Sequence, residues 1–150
     1  MRELDVAVKI LPHFAGLDLP DYQTEGSSGF DLIAACEQPV VIRPGQRALV
    51  PTGLSVSLPL GSELQIRPRS GLALRHGITL LNSPGTIDSD YRGEIQLIMI
   101  NLGDGDFTVT RGMRIGQAVF GEVIKAKLSV ADNLDSTCRG VGGFGHTGIH

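Results

Sequence analysis

Between residues 85 and 95 the chain reads GTIDSDYRGEI, placing two carboxylates, a phenol ring and a guanidinium among glycines. Asp88 or Asp90 could serve as a general base on water, provided the carboxylate comes within hydrogen-bond reach of the proton it removes. Either also suits ordinary turn chemistry, because aspartate side chains bond their own backbone. Tyr91 offers a ring face on which a base or sugar could stack, or an apolar body for the core. In one short turn these residue types fit a polar, aromatic, anionic ligand.

Phosphate would have to be held without the familiar loop, since GxxxxGK[ST] occurs nowhere in the chain. Arg69-Ser70-Gly71 offers a guanidinium fork, a hydroxyl and backbone amides at the start of a short helical stretch, a combination that suits an anion. Asp31, in SSGFDLIAA, either satisfies a loop or joins the groups that hold a hydrated cation. Mg²⁺ keeps several waters and binds through one or two carboxylates plus substrate phosphates. Tyr91 and Phe144 are two of only seven phenylalanines and tyrosines, and both lie in glycine-flanked segments without strand periodicity. The four histidines show no metal spacing. Cys36 and Cys138 lack any CxxC context and read as incidental or buried thiols.

The elements that must position these groups are strands. Short alternating or β-branched runs recur at 6–10, 39–45, 47–53, 54–59, 63–68, 94–101, 107–112 and 115–124. Pro44-Gly45, Pro59-Leu60-Gly61, Pro84-Gly85 and Gly103-Asp104-Gly105-Asp106 punctuate them as turns. The pattern predicts an all-β sandwich, jelly roll or barrel. The one helical candidate is 70–77, with Ser70 as a possible cap and Gly77 as its stop. After about Val130 the hydrophobic periodicity ends, and RGVGGFGHTGIH carries five glycines in its first ten residues. Glycine-rich termini are commonly mobile.

Composition bounds the function. At 150 residues, 41% hydrophobic and 19% charged, the chain accommodates one packed domain. A formal net charge of −3 argues against a general nucleic-acid binder, whose affinity comes from many lysines and arginines on phosphates. No run approaches the roughly 20 apolar residues of a membrane helix, and MRELDVAVKI lacks the apolar core of a secretory signal. These features predict a cytoplasmic protein without a membrane or nucleic-acid partner.

Taken in order, SGFDLIAA, PRSGLA, GTIDSDYRGEI, RIGQAVF and RGVGGFGHTG resemble the five ordered motifs of the homotrimeric dUTPases, from residue 29 to residue 148. The resemblance implies an all-β, jelly-roll-like β-clip subunit with one short helix. It implies a catalytic domain at 1–130 and, at 131–150, a mobile glycine-rich arm that closes over an active site. The implied reaction is hydrolysis of dUTP to dUMP and pyrophosphate, with Mg²⁺ as cofactor and three sites shared between the subunits of a trimer.

Carried over residue by residue, Asp88 would orient or deprotonate the attacking water. Tyr91 would pack under the deoxyribose and leave no room for a 2′-hydroxyl. The hairpin from Asn82 to Ile95, including Gly85, Thr86 and Ile87, would read uracil. Arg69, Ser70, Gly71 and Gln117 would bind the phosphate chain, and Arg139 would reach its terminal phosphate. Phe144 would stack over uracil, with Gly145, His146 and Thr147 completing the arm's contacts. Asp31 would help hold the hydrated Mg²⁺. Ser28 stands where the first motif often has alanine, and His146 where the last usually has serine. Two rival readings are a dCTP deaminase of the same fold and a regulatory protein that keeps the nucleotide pocket.

Overall fold

Strict alternation in EIQLIMIN predicts a strand with one buried face, and the computed structural model, which describes residues 3–143, bears this out. In this strand, Glu94–Asn101, the side chains of Ile95, Leu97, Met99 and Asn101 are buried. Full burial of one such aliphatic side chain stabilises by about 1.5–3 kcal/mol.

In chain order the elements are β1 (Ala7–Ile10), a 3-10 turn (Pro12–Phe14), β2 (Phe30–Ile33), β3 (Val40–Ile42), β4 (Arg47–Ser57) and β5 (Ser62–Arg67). Then follow α1 (Ser70–His76), β6 (Ile78–Leu80), β7 (Gly85–Ile87), β8 (Glu94–Asn101), β9 (Phe107–Val109) and β10 (Arg114–Glu122). One four-stranded sheet has the order β1-β4-β8-β6 and the other β2-β10-β5-β7, while β3 and β9 form a two-stranded ribbon. The pairings are antiparallel throughout. Leu32, Ile42, Val50, Leu64, Ile78, Leu97, Val109 and Ile115 come from eight different strands and join in one core. Among the described residues the fold is all-β and jelly-roll-like with a single short helix, which is one of the architectures the pattern of strands and turns allows and the one the family resemblance implies.

Two local expectations need correction. The runs at 47–53 and 54–59 are not two strands but the single strand β4, whose register against β8 shifts between Pro51 and Ser55. Gly53, at φ +70°, supplies a bulge where the two runs meet. The buried Thr52 secures the bulge, its hydroxyl donating to the Ile95 carbonyl at 2.6 Å. In α1 the N-cap is Arg69, in extended conformation, rather than Ser70, which is the first helical residue. The other end matches expectation, with Gly77 in the left-handed region at φ 65°.

Asn101 shows how the core tolerates a polar group. Its amide donates to Ile42 and Gly105 carbonyls at 2.8 Å each, and its side-chain oxygen accepts from the Gly103 N–H at 2.9 Å. The glycine-rich turn at 103–106 is thereby tied to the core. Cys36 is a buried free thiol and Cys138 an exposed one. Among the described residues no helix is long and apolar enough to cross a membrane. Beyond β10, residues 123–143 form no strand or helix.

Candidate active site

The hairpin leaves the second sheet at Ile87, where β7 lies against β5 in the register Leu64↔Ile87, Gln65↔Thr86 and Ile66↔Gly85. Gly85 is buried there, and a Cβ on it would lie 3.4 Å from both Asn82 Nδ2 and Ile66 Cβ. The Tyr91 N–H then donates to the Asp88 carbonyl at 3.1 Å and closes a turn. The Tyr91 hydroxyl donates to the Glu94 carbonyl at 3.0 Å, which lays the ring across Gly93. A side chain at residue 93 would overlap that ring, so glycine is what allows the tyrosine to fold back. Arg92 does not face a ligand: its Nη1 donates to the Ser89 and Tyr91 carbonyls at 2.7 and 2.8 Å and braces the turn.

Asp88 and Tyr91 line one cavity of about 280 Å³, together with Thr86, Ile87, Leu49, Glu94, Gln96 and Ile98. Tyr91 is 44% exposed and so is not a core residue. Asp90 does not line the cavity, whereas Asp88, the aspartate that the motif resemblance singles out, does. Asn82 is exposed in the turn before β7 and lies outside this lining. Ile95 is placed in the core, 1% exposed, with its carbonyl already accepting from Thr52.

A second polar group forms on the other sheet. Gln117 of β10 is directly opposite Asp31 of β2 on one side and Arg67 of β5 on the other. Directly paired residues share a face, so the three side chains form a stripe across the strands. Asp31 Oδ2 forms an ion pair with Arg69, 3.0 Å from its Nη2, and lies 3.5 Å from Arg114 Nη1. Arg69 Nη1 also donates to the Arg114 carbonyl at 3.2 Å. One carboxylate thus holds two guanidinium groups side by side, with Arg67 nearby, leaving an excess of positive charge suited to a polyanion. The first helical N–H groups, those of Ser70 and Gly71, have no carbonyl partner within α1, while Leu72 and Ala73 donate to the Arg69 carbonyl.

Asp31 Oδ1 is buried and has no hydrogen-bond partner among the described residues. An orphaned carboxylate oxygen fits a cation that takes a single protein carboxylate, several waters and substrate oxygens. No cluster of three or more His, Cys, Asp or Glu side chains stands ready for a metal among the described residues, so an all-protein cage does not fit.

A single copy of the chain does not bring the two groups together. Asp88 continues β7 past its partner Leu64 and so lies beside the start of β5, whereas Arg69 follows its end. At about 3.3 Å per residue the separation along β5 is on the order of 15–20 Å. Arg139 is exposed and its Nε donates to the Gly142 carbonyl at 2.8 Å, within its own turn. Phe144, Gly145, His146 and Thr147 lie outside the described residues.

Arg67, Arg114 and Glu94 belong to these surfaces and were not picked out from the sequence. Period-two alternation in ELQIRP does place Gln65 and Arg67 on the face opposite Leu64 and Ile66, and Arg67 Nη2 indeed donates to Gln65 Oε1 at 2.9 Å. That signal could have found Arg67. Nothing local distinguishes Glu94.

Fold and site together define an antiparallel β enzyme with a carboxylate-and-aromatic pocket at one end of a strand and a guanidinium cluster at the other. The family model for dUTPase matches residues 15–148, and the chain belongs to that family. It is 59% identical over 140 residues to the deoxyuridine 5'-triphosphate nucleotidohydrolase of Brucella melitensis biotype 2, covering 92% of this chain and 89% of the relative. A nucleotidohydrolase of the same name from Rhizobium meliloti is 57% identical over 140 residues, covering 92% and 88%. Among solved structures, a Staphylococcus bacteriophage 80alpha dUTPase with bound dUpNHpp has a TM-score of 0.86 at 22% identity, covering 97% of this chain and 99% of the other. A mutant dUTPase of phage phi11, described with a structural Mg(II) ion, has a TM-score of 0.76 at 19% identity, covering 86% and 97%.

Proposed function

We propose that the chain is a cytoplasmic enzyme hydrolysing dUTP to dUMP and pyrophosphate, with water attacking the α-phosphorus. One observation carries this reading above the others. Asp88 and Tyr91 line the same cavity on a turn that Gly93 shapes, in a chain whose family match runs nearly its whole length.

In this reading Asp88 takes the proton of the attacking water, and the exposed carboxylate is open to it. Tyr91 packs under the deoxyribose, where its anchored ring excludes a 2′-hydroxyl by contact. A rigid ring discriminates better than an apolar pocket, which rejects an added hydroxyl only about a hundredfold. Thr86, Ile87, Gly85, Asn82 and Ile95 form the stretch of hairpin that reads uracil, with the backbone as the main contact. Arg69, Ser70, Gly71 and Gln117 hold the phosphate chain, and Arg139 supports the leaving pyrophosphate. Phe144, Gly145, His146 and Thr147 complete the site as the 131–150 arm closes. Excluding bulk water strengthens every charge interaction inside the site. Mg²⁺, when bound, neutralises charge on the phosphates, and Asp31 Oδ1 is the atom suited to hold it through water.

The active assembly is a homotrimer with shared sites. The separation of Asp88 from Arg69 along β5 supports this, because a nucleoside triphosphate must touch both groups at once. So does the segment 124–130, where Ile124, Leu128 and Val130 are each at least 91% exposed and recur at even spacing like one face of an unpaired strand.

The test is a panel of deoxynucleoside and ribonucleoside triphosphates with Mg²⁺ and with chelator. We expect pyrophosphate from dUTP alone, at a rate that chelation lowers. Ammonia released from dCTP would replace this reading with that of the same-fold deaminases, and binding without turnover would favour a regulatory protein.

A further inference from the structure

We infer that His13 is a positioning residue for the sugar-discriminating ring, acting through Glu94. This rests on the reading of Tyr91 as the sugar gate. His13 lies 81 residues before Glu94 in the chain, yet its Nε2 is 2.7 Å from Glu94 Oε1. A carboxylate only accepts, so Nε2 carries the proton in this contact. The same oxygen accepts the Gly53 N–H at 2.8 Å, a donor that the β4 bulge leaves outside the regular ladder. Gln96 Nε2 donates to the other oxygen at 3.4 Å.

The donors come from a rigid place. Phe14 is 3% exposed, and a Cβ on Gly53 would lie 2.8 Å from the Phe14 Cβ, so the 3-10 turn and the bulge are in close contact. The Leu11 N–H donates to the Gly53 carbonyl at 2.9 Å and ties the same two elements together. Glu94 is therefore gripped by its side chain from the 3-10 turn and the β4 bulge, while its backbone carbonyl accepts from the Tyr91 hydroxyl at 3.0 Å. Glu94, Tyr91 and Asp88 line one cavity, so the grip ends at the site itself. Side-chain exposures of 26% for His13 and 17% for Glu94 keep the contact partly sheltered from water.

Removing the donor leaves the carboxylate with the Gly53 N–H as its short partner and lets Glu94 turn toward solvent. The carbonyl that anchors Tyr91 then shifts with it, and a looser ring admits a 2′-hydroxyl. A simple clip between residues 11–14 and β8 would instead cost stability and leave selectivity alone.

The experiment compares His13→Ala, His13→Gln and Tyr91→Ala for kcat/KM on dUTP and UTP and for Tm. For His13→Ala the dUTP-to-UTP ratio should fall about two- to tenfold, the equilibrium factor of one net hydrogen bond. His13→Gln, whose amide can donate, should recover most of it. An unchanged ratio in His13→Ala, while Tyr91→Ala lowers it, overturns the inference and leaves the sugar gate standing. An unchanged ratio in Tyr91→Ala overturns the gate itself. A His13→Gln enzyme as unselective as His13→Ala, with normal Tm, also overturns the inference, because the donor is what it invokes. Should His13→Ala not fold, His13→Phe keeps a ring, lacks the donor and takes its place.

Discussion

Substituting Gly93 by alanine tests the geometry of the hairpin more directly than removing any charged group. A Cβ at residue 93 would lie 2.9 Å from Tyr91 Cε2 and nearer still to its Cζ and hydroxyl. Carbon atoms settle at roughly 3.5–4.0 Å from one another, so the ring must withdraw by on the order of 1 Å. The backbone at Gly93 is not in the left-handed region, so alanine is not strained there for its own sake. Withdrawal breaks the 3.0 Å bond from the Tyr91 hydroxyl to the Glu94 carbonyl, worth about 1 kcal/mol. The reduced freedom of the unfolded chain returns about 0.4–1 kcal/mol, so the two effects nearly cancel. The Tm of Gly93→Ala should stay within about 4 °C of the parent, since about 1 kcal/mol moves a domain of this size by 2–4 °C. Activity should fare differently, because misplacing a positioning group by about 1 Å can cost a hundredfold in rate. We expect kcat/KM for dUTP to fall by about 10- to 100-fold, and for UTP by less, measured by pyrophosphate release. A Gly93→Ala enzyme with parental kcat/KM and parental selectivity would refute the idea that the folded-back ring is part of the site.

Asp88→Asn should lower kcat by about 10²–10⁴-fold, the usual contribution of a positioned base, while binding of a non-hydrolysable dUTP analogue persists; unchanged turnover removes Asp88 from the mechanism. Asp31→Asn should raise the Mg²⁺ concentration needed for half-maximal activity and raise KM, since Arg69 and Arg114 lose the carboxylate that holds them together; an unaltered Mg²⁺ titration would show that Asp31 serves only the arginines. Truncation after Val130 should reduce turnover with the far-ultraviolet circular dichroism of the β fold retained; a full-rate truncated enzyme contradicts a closing arm.

Much of the fold was legible because its signals are local. Alternation in EIQLIMIN is a period-two pattern with one buried face, and β8 spans the residues it marks. Gly77 ends α1 because a left-handed residue there costs glycine little. Where legibility failed, the competing cause was tertiary. The sequence pattern reads separate runs at 47–53 and 54–59, yet the chain runs on as β4 because Thr52 and Glu94 take up the backbone groups around the bulge. Arg92 looked like a ligand group, and its guanidinium is spent on the carbonyls of its own turn.

The residue types and order of the motifs determined the chemistry: a carboxylate beside an aromatic ring, a guanidinium next to a helix start, and a glycine-rich arm, in an all-β chain of the dUTPase family. These are properties of side chains and short spacings, which survive without knowledge of the fold. Only the tertiary structure decided that Asp31 lies between Arg69 and Arg114, that Glu94 is held by His13, and that Asp88 and Arg69 lie at opposite ends of β5. Each of these depends on strand register and on contacts between residues tens of positions apart. Neither is encoded in a local pattern, because pairing partners in antiparallel sheets are chosen by the packing of the whole core.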